Sequence, residues 1–124
     1  MKYFLFKLVP PRPTFPADMT RAEAKLMQEH SEYWRNLMRK GLVVAFGPVS
    51  DPKGTYGIAV MQLEDDGDAN AIGANDPTIK ANVGFKFELH SMPQVVLPAH
   101  LELSANEPPV QSGYAPVNGL EMYY

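Results

Sequence analysis

Cysteine is absent from the sequence, which excludes disulfides, zinc–thiolate centres and thiol nucleophiles. No apolar run approaches the length needed to cross a bilayer, so no membrane partner is expected. Positive charge is not in excess either. Eleven Lys and Arg stand against 14 Asp and Glu, giving a formal net charge of -3. A chain whose main partner is nucleic acid normally carries a basic surplus, so that partner is set aside. The glycines supply no phosphate cradle, because "GPVSDPKG" lacks the strand-to-helix setting such a loop needs. His30, His90 and His100 are scattered, with no i,i+4 pair, so neither a metal site nor a cofactor is expected. The acidic run Glu64–Asp68 lacks calcium-loop spacing and reads as the start of a helix. In "MKYFLFKLVPPRP" Lys7 interrupts the apolar run and no small-residue cleavage site follows. The expectation is a first strand rather than a secretory signal, with the cytoplasm as the location.

What remains is a chain of 124 residues, 45% hydrophobic and 20% charged, the size and composition of one globular domain. A core of that size gains from a second copy. "KYFLFKLV" (Lys2–Val9) is apolar on both faces, which predicts a strand covered on both sides. "TRAE" (Thr20–Glu23) has the capping-box pattern, and the helix it opens is expected to run to about Lys40, with Gly41 ending it. Met27, His30, Trp34, Leu37 and Met38 share one face of that helix. Leu42–Val49 and Gly57–Glu64 predict two further strands, paired as a hairpin. A short helix to about Ala74 follows, interrupted by Pro77. "FKFELHSM" (Phe85–Met92) alternates, with Phe85, Phe87 and Leu89 on one side and Lys86, Glu88 and His90 on the other.

The order β-α-β-β-α-β is a ferredoxin-like α+β arrangement, with both helices on one sheet face. The opposite face then needs a cover, and a homodimer is the simplest one. Residues 1–92 form the domain; residues 93–124 read as an irregular C-terminal extension packed on the same subunit or on its neighbour. Leu101, Leu103, Tyr114, Tyr123 and Tyr124 are the candidate anchors.

"HSEYWRNLMRKGLVVAFGP" and "NDP" place His30, Trp34, Gly41, Gly47-Pro48 and Asn75-Asp76-Pro77 in a fixed order. This set resembles the YCII-related (YciI-like) family over roughly Met1 to Met92. The resemblance implies a dimeric α/β barrel in which two ferredoxin-like sheets face each other, and a site on the helical histidine and the Asp-Pro aspartate, here His30 and Asp76. Three features differ from the family pattern. The aromatic that often follows Asp-Pro is Thr78, the glycine common a few residues later is absent near Asn82, and the extension past Met92 has no counterpart in short members.

A buried histidine needs a hydrogen-bond partner. An aspartate on one ring nitrogen fixes the tautomer and leaves proton transfer to the other. On that reading a cleft begins at His30, Trp34 forms its wall, and Tyr33, Gly47 and Pro48 border the substrate. Each residue also has a plainer account. His30 could be a core residue bonded to a carbonyl, and Asp76 a turn or cap before proline. Trp34 and Tyr33 could be packing. Gly47-Pro48 could simply end a strand where no side chain fits. Two functions follow. One is a cofactor-independent acid/base enzyme, of lyase or isomerase type, acting on a small organic molecule through His30 and Asp76. The alternative is a non-enzymatic homodimer that binds a small ligand or serves as an accessory protein.

Overall fold

The computed structural model describes residues 1–98; His100 and the anchors expected at Leu101, Leu103, Tyr114, Tyr123 and Tyr124 lie outside the described residues. Seven elements follow in order: β1 (Lys2–Val9), α1 (Arg21–Arg39), β2 (Val43–Val49), β3 (Tyr56–Leu63), α2 (Ala69–Ala74), α3 (Pro77–Lys80) and β4 (Lys86–Met92). The strands form one sheet in the order β2-β3-β1-β4, antiparallel at every junction. The architecture is α+β, and this strand order is compatible with a ferredoxin-like fold. Among the described residues no helix is long and apolar enough to cross a membrane.

Helix α1 forms because both of its ends are satisfied chemically. Thr20 Oγ1 accepts from the Glu23 N–H at 3.1 Å, and Glu23 Oε1 accepts from the Thr20 N–H at 2.9 Å, a complete capping box. At the other end Gly41 takes φ 81°, which a side chain disfavours. There the Gly41 N–H donates to Met38 O at 2.9 Å and the Leu42 N–H to Leu37 O at 3.0 Å, the two bonds of a Schellman cap. The buried stripe of α1 is Met27, His30, Ser31, Trp34 and Leu37. Met38, expected in the stripe, is 37% exposed. In the last turn Leu37 is the residue buried against the core, and Met38 stands at the border of the stripe.

Two local features depart from the simple pattern. The β2–β3 register shifts between Val43, paired with Met61, and Ala45, paired with Val60. The extra residue puts Val43 and Phe46 on the same face, where strict alternation would separate them. Pro77 does not interrupt a helix but opens one: it stands at the first position of α3, where a missing N–H costs nothing. The glycine role expected near Asn82 is filled by Asn82 itself at φ 57°, with Gly84 at φ 107° just after it.

One sheet face carries all the helices. Phe6, Leu8, Ala59, Met61 and Leu63 are buried there. The Trp34 ring lies on Phe6 at 4.6 Å between centroids, and Phe6 stacks on Phe87 at 5.5 Å. Helix α2 reaches the same pair of rings through Gly73, where a Cβ would stand 2.7 Å from Phe87 Cε2. The other face presents Tyr3, Leu5, Ile58 and Val60 with Lys86, Glu88 and His90, and among the described residues no helix lies over it.

Candidate functional site

The side chains of interest meet where α3 abuts α1. Asp76 is the N-cap of α3, and its Oδ1 accepts from the Thr78 N–H at 2.8 Å and from Thr78 Oγ1 at 2.7 Å. That pair of bonds turns Oδ2 toward α1. Two groups one turn apart on α1 reach it: His30 Nδ1 at 2.7 Å and the Trp34 indole N–H, also at 2.7 Å. Their spacing follows from the helix, since residues four apart stack on one face. Asp76 and Thr78 are fully buried, and His30 is 4% exposed.

Burial alone raises the pKa of a carboxyl group, because it penalises the charged form. At Asp76 that effect is outweighed by the bonds from His30, Trp34 and Thr78 and by the charge of the imidazole, and the net shift is downward from 3.8. The carboxyl is therefore ionised at neutral pH. Tyr33 shifts the other way, upward from 10.0, through burial and through repulsion by Asp76. Its phenol stays protonated and donates to Ile72 O at 2.6 Å, tying the end of α2 to α1.

A small hollow lies between α1 and the sheet, lined by Phe6, Leu8, His30, Trp34 and Phe46 together with the β2–β3 backbone at Gly47 and Gly57. The centre of a water molecule has about 10 Å³ of freedom in it, roughly what one water requires. A second, open concavity of about 430 Å³ lies on the helix-free side, around Lys7, Arg12, Lys53, Tyr56 and Glu88. Lys7 Nζ sits 4.4 Å above the Tyr56 ring there. Among the described residues no group of three or more His, Asp or Glu could hold a metal ion.

The model of the YCII-related domain matches residues 1–93, three quarters of the sequence. The chain belongs to the YCII-related family. Among the curated proteins nothing matches. Among solved structures, the crystal structure of a formyltetrahydrofolate deformylase from Pseudomonas putida KT2440 is 18% identical, with a TM-score of 0.37, over 72% of this chain and 28% of that one. At that level of likeness the deformylase carries no argument about this chain, which spans little more than a quarter of its length.

Within this YCII-related domain the residues singled out by sequence separate into two groups. His30, Asp76 and Trp34 come together, and Gly47 borders the same hollow. Tyr33 and Pro48 do not line it: Tyr33 packs edge-on against Trp34 at 5.5 Å, and Pro48 is exposed on the edge strand β2. Gly47 does not end a strand where a side chain is forbidden. It sits inside β2 opposite Ile58, and a Cβ there would meet nothing within 4 Å. Trp34 acts as more than a wall, since its N–H is spent on Asp76. Thr78 is the residue that sequence reasoning passed over. The signal was present in "DPT": an N-cap aspartate receives its bond from the second or third helical residue, and here the second is a threonine with a donor of its own.

Proposed function

We propose that His30 and Asp76 form an acid/base dyad acting on a small organic molecule, without a cofactor, in a proton-transfer reaction of lyase or isomerase type. The observation that carries this reading is the 2.7 Å bond between a buried imidazole and a buried carboxylate, with the imidazole on the wall of a hollow. Asp76 orients the ring through Nδ1, so exchange with a ligand falls to Nε2. A substrate must widen the hollow, whose present size suits one water. The test is turnover of a panel of small cyclic and carbonyl metabolites by wild type, His30→Gln and His30→Ala, each checked for folding. Loss of a general acid/base is expected to lower the rate on the order of 10²- to 10⁴-fold. A panel that wild type leaves untouched, with ligands binding wild type and variants alike, would sink the catalytic reading.

That same narrowness favours a second reading, a non-enzymatic protein that binds a small ligand. Under either one the proposed assembly is a cytoplasmic homodimer closed sheet to sheet into an α/β barrel. Support comes from the helix-free face, where Leu5, Ile58 and Val60 are only half-covered in a single chain. The expectation is a dimer by light scattering that Leu5→Lys with Ile58→Lys reduces to a monomer. A wild-type monomer would refute it. The extension from residue 93 is proposed to pack on this domain or its partner. Truncation after Pro98 is then expected to lower thermal stability, and an unchanged melting temperature would argue against it.

A further inference from the structure

Four polar contacts meet at the Asp76 carboxyl, and in two of them the partner can only donate. The Trp34 indole N–H and the Thr78 backbone N–H can donate but cannot accept. One meets Oδ2 and the other Oδ1, so both carboxylate oxygens are committed as acceptors. Thr78 Oγ1 adds a second bond to Oδ1. Donors on both oxygens favour the ionised carboxyl, and an ionised carboxyl can only accept, so the hydrogen of the 2.7 Å contact between Oδ2 and His30 Nδ1 lies on the nitrogen.

We infer that Trp34 and Thr78 are positioning residues: they hold Asp76 as an anion and thereby assign the proton of the pair to Nδ1 of His30, directing any exchange with a ligand to Nε2. The placement of the proton is a property of the folded chain. Its use in turnover rests on the acid/base reading above. Among the described residues the titratable groups around Asp76 are His30, which bonds it, and Tyr33, which feels its charge; both belong to α1. Tyr33 spends its O–H on Ile72 O and makes no bond to the carboxylate.

Trp34 is the single tryptophan of the chain, so its indole N–H is a unique resonance. The experiment is ¹⁵N and ¹³C NMR of the full chain, comparing wild type with Trp34→Phe, Thr78→Val and Thr78→Ser. At pH 7 the wild-type His30 Nδ1 is expected to show a protonated nitrogen shift, with a downfield proton coupled to it. An unprotonated Nδ1 would overturn the inference directly, with no need for a variant. The Asp76 carboxyl carbon is then followed downward in pH as far as the fold persists. Its midpoint is expected to rise in Trp34→Phe and in Thr78→Val and to return toward wild type in Thr78→Ser, which keeps the hydroxyl. A midpoint equal to wild type in both disrupting variants would remove Trp34 and Thr78 from the role.

Where a variant fails to fold, the wild-type proton position and the remaining variant still decide. The two readings fail separately. Altered Asp76 titration without turnover of any compound retains the clamp and removes the enzyme. Turnover that depends on His30, with Asp76 unmoved in both variants, does the reverse.

Discussion

Replacing Asp76 by Asn keeps the shape of the side chain and changes one oxygen into an NH2 group, so it tests the donor arithmetic around the carboxylate. Asn can sit in two ways. With its oxygen toward Thr78, the NH2 faces His30 and Trp34; the imidazole can adapt by moving its proton to Nε2, but the indole N–H is left facing another donor. With its oxygen toward α1, the NH2 faces Thr78; the hydroxyl can accept, but the backbone N–H cannot. Either orientation strands one donor at a site with no exposure. A buried unsatisfied donor costs about 1–3 kcal/mol. For a domain near 100 residues that corresponds to a fall in Tm of roughly 5–20 °C. Urea unfolding at pH 7, followed by circular dichroism with the slope held in common, gives the free energy. The decisive arm is the double variant. In a Trp34→Phe background the indole donor is gone, and Asn can satisfy Thr78 and His30 together. Asp76→Asn is therefore expected to cost less there than in wild type, with a coupling of about 1 kcal/mol or more. An Asp76→Asn chain within about 0.5 kcal/mol of wild type, or strictly additive costs, would refute the reasoning.

Acid should weaken the fold in two linked steps. The folded pKa values of Asp76 and Glu23 lie below their unfolded values. Asp76 is lowered by bonds that outweigh its burial; Glu23 is lowered to about 2, chiefly by Arg12, which holds it at 2.7 and 2.8 Å. Their stabilisation is thus complete above the unfolded value and is lost as pH falls through the folded one. The stability gap between wild type and Asp76→Asn should narrow below about pH 4, and a gap constant to pH 3 would contradict it. Gly73→Ala should destabilise by about 1–3 kcal/mol, because the new methyl would press on Phe87 at 2.7 Å and Phe6 at 3.2 Å, two rings with core neighbours; a neutral effect in urea unfolding would show that the rings can part freely. Thr20→Ala should cost about 1 kcal/mol by removing the acceptor for the Glu23 N–H, and amide exchange should accelerate in the first turn of α1. Exchange unchanged at Glu23 would show that Thr20 does not hold that end.

Elements whose determinants are local could be read from the sequence. "TRAE" and Gly41 bound α1 because the cap atoms are supplied within a few residues of the ends. The alternation of β4 was equally plain, since one side of that strand is covered and the other is not. The bulge at Val44 was not legible: nothing in "LVVAFGP" marks the extra residue, and only the pairing of Val43 with Met61 and Ala45 with Val60 reveals it. The contact between His30 and Asp76 spans 46 residues, and no local pattern specifies it; it entered the sequence reading through family resemblance alone. Trp34 is legible in the sequence as a buried aromatic, yet its bond to Asp76 depends on where α3 docks, which propensity does not encode.

The donor set on Asp76 also limits the chemistry that the hollow could host. A carboxylate that already accepts four bonds has no orientation in which it takes a proton from a ligand without losing one of them. Its contribution is then electrostatic and geometric, fixing one ring. Among the described residues that line the hollow, His30 is the one with an ionisable side chain; the others are aromatic, aliphatic or glycine. A reaction there would use one base that accepts a proton and returns it to the same molecule, or passes it to a leaving group on the same side. A two-base mechanism, with acid and base on opposite faces of the substrate, would require a second titratable group, which the described residues of this wall do not provide. Solvent exchange separates the two: in D2O, one shielded base carries part of the abstracted hydrogen back into product, whereas two bases in contact with water give product fully labelled at the receiving carbon.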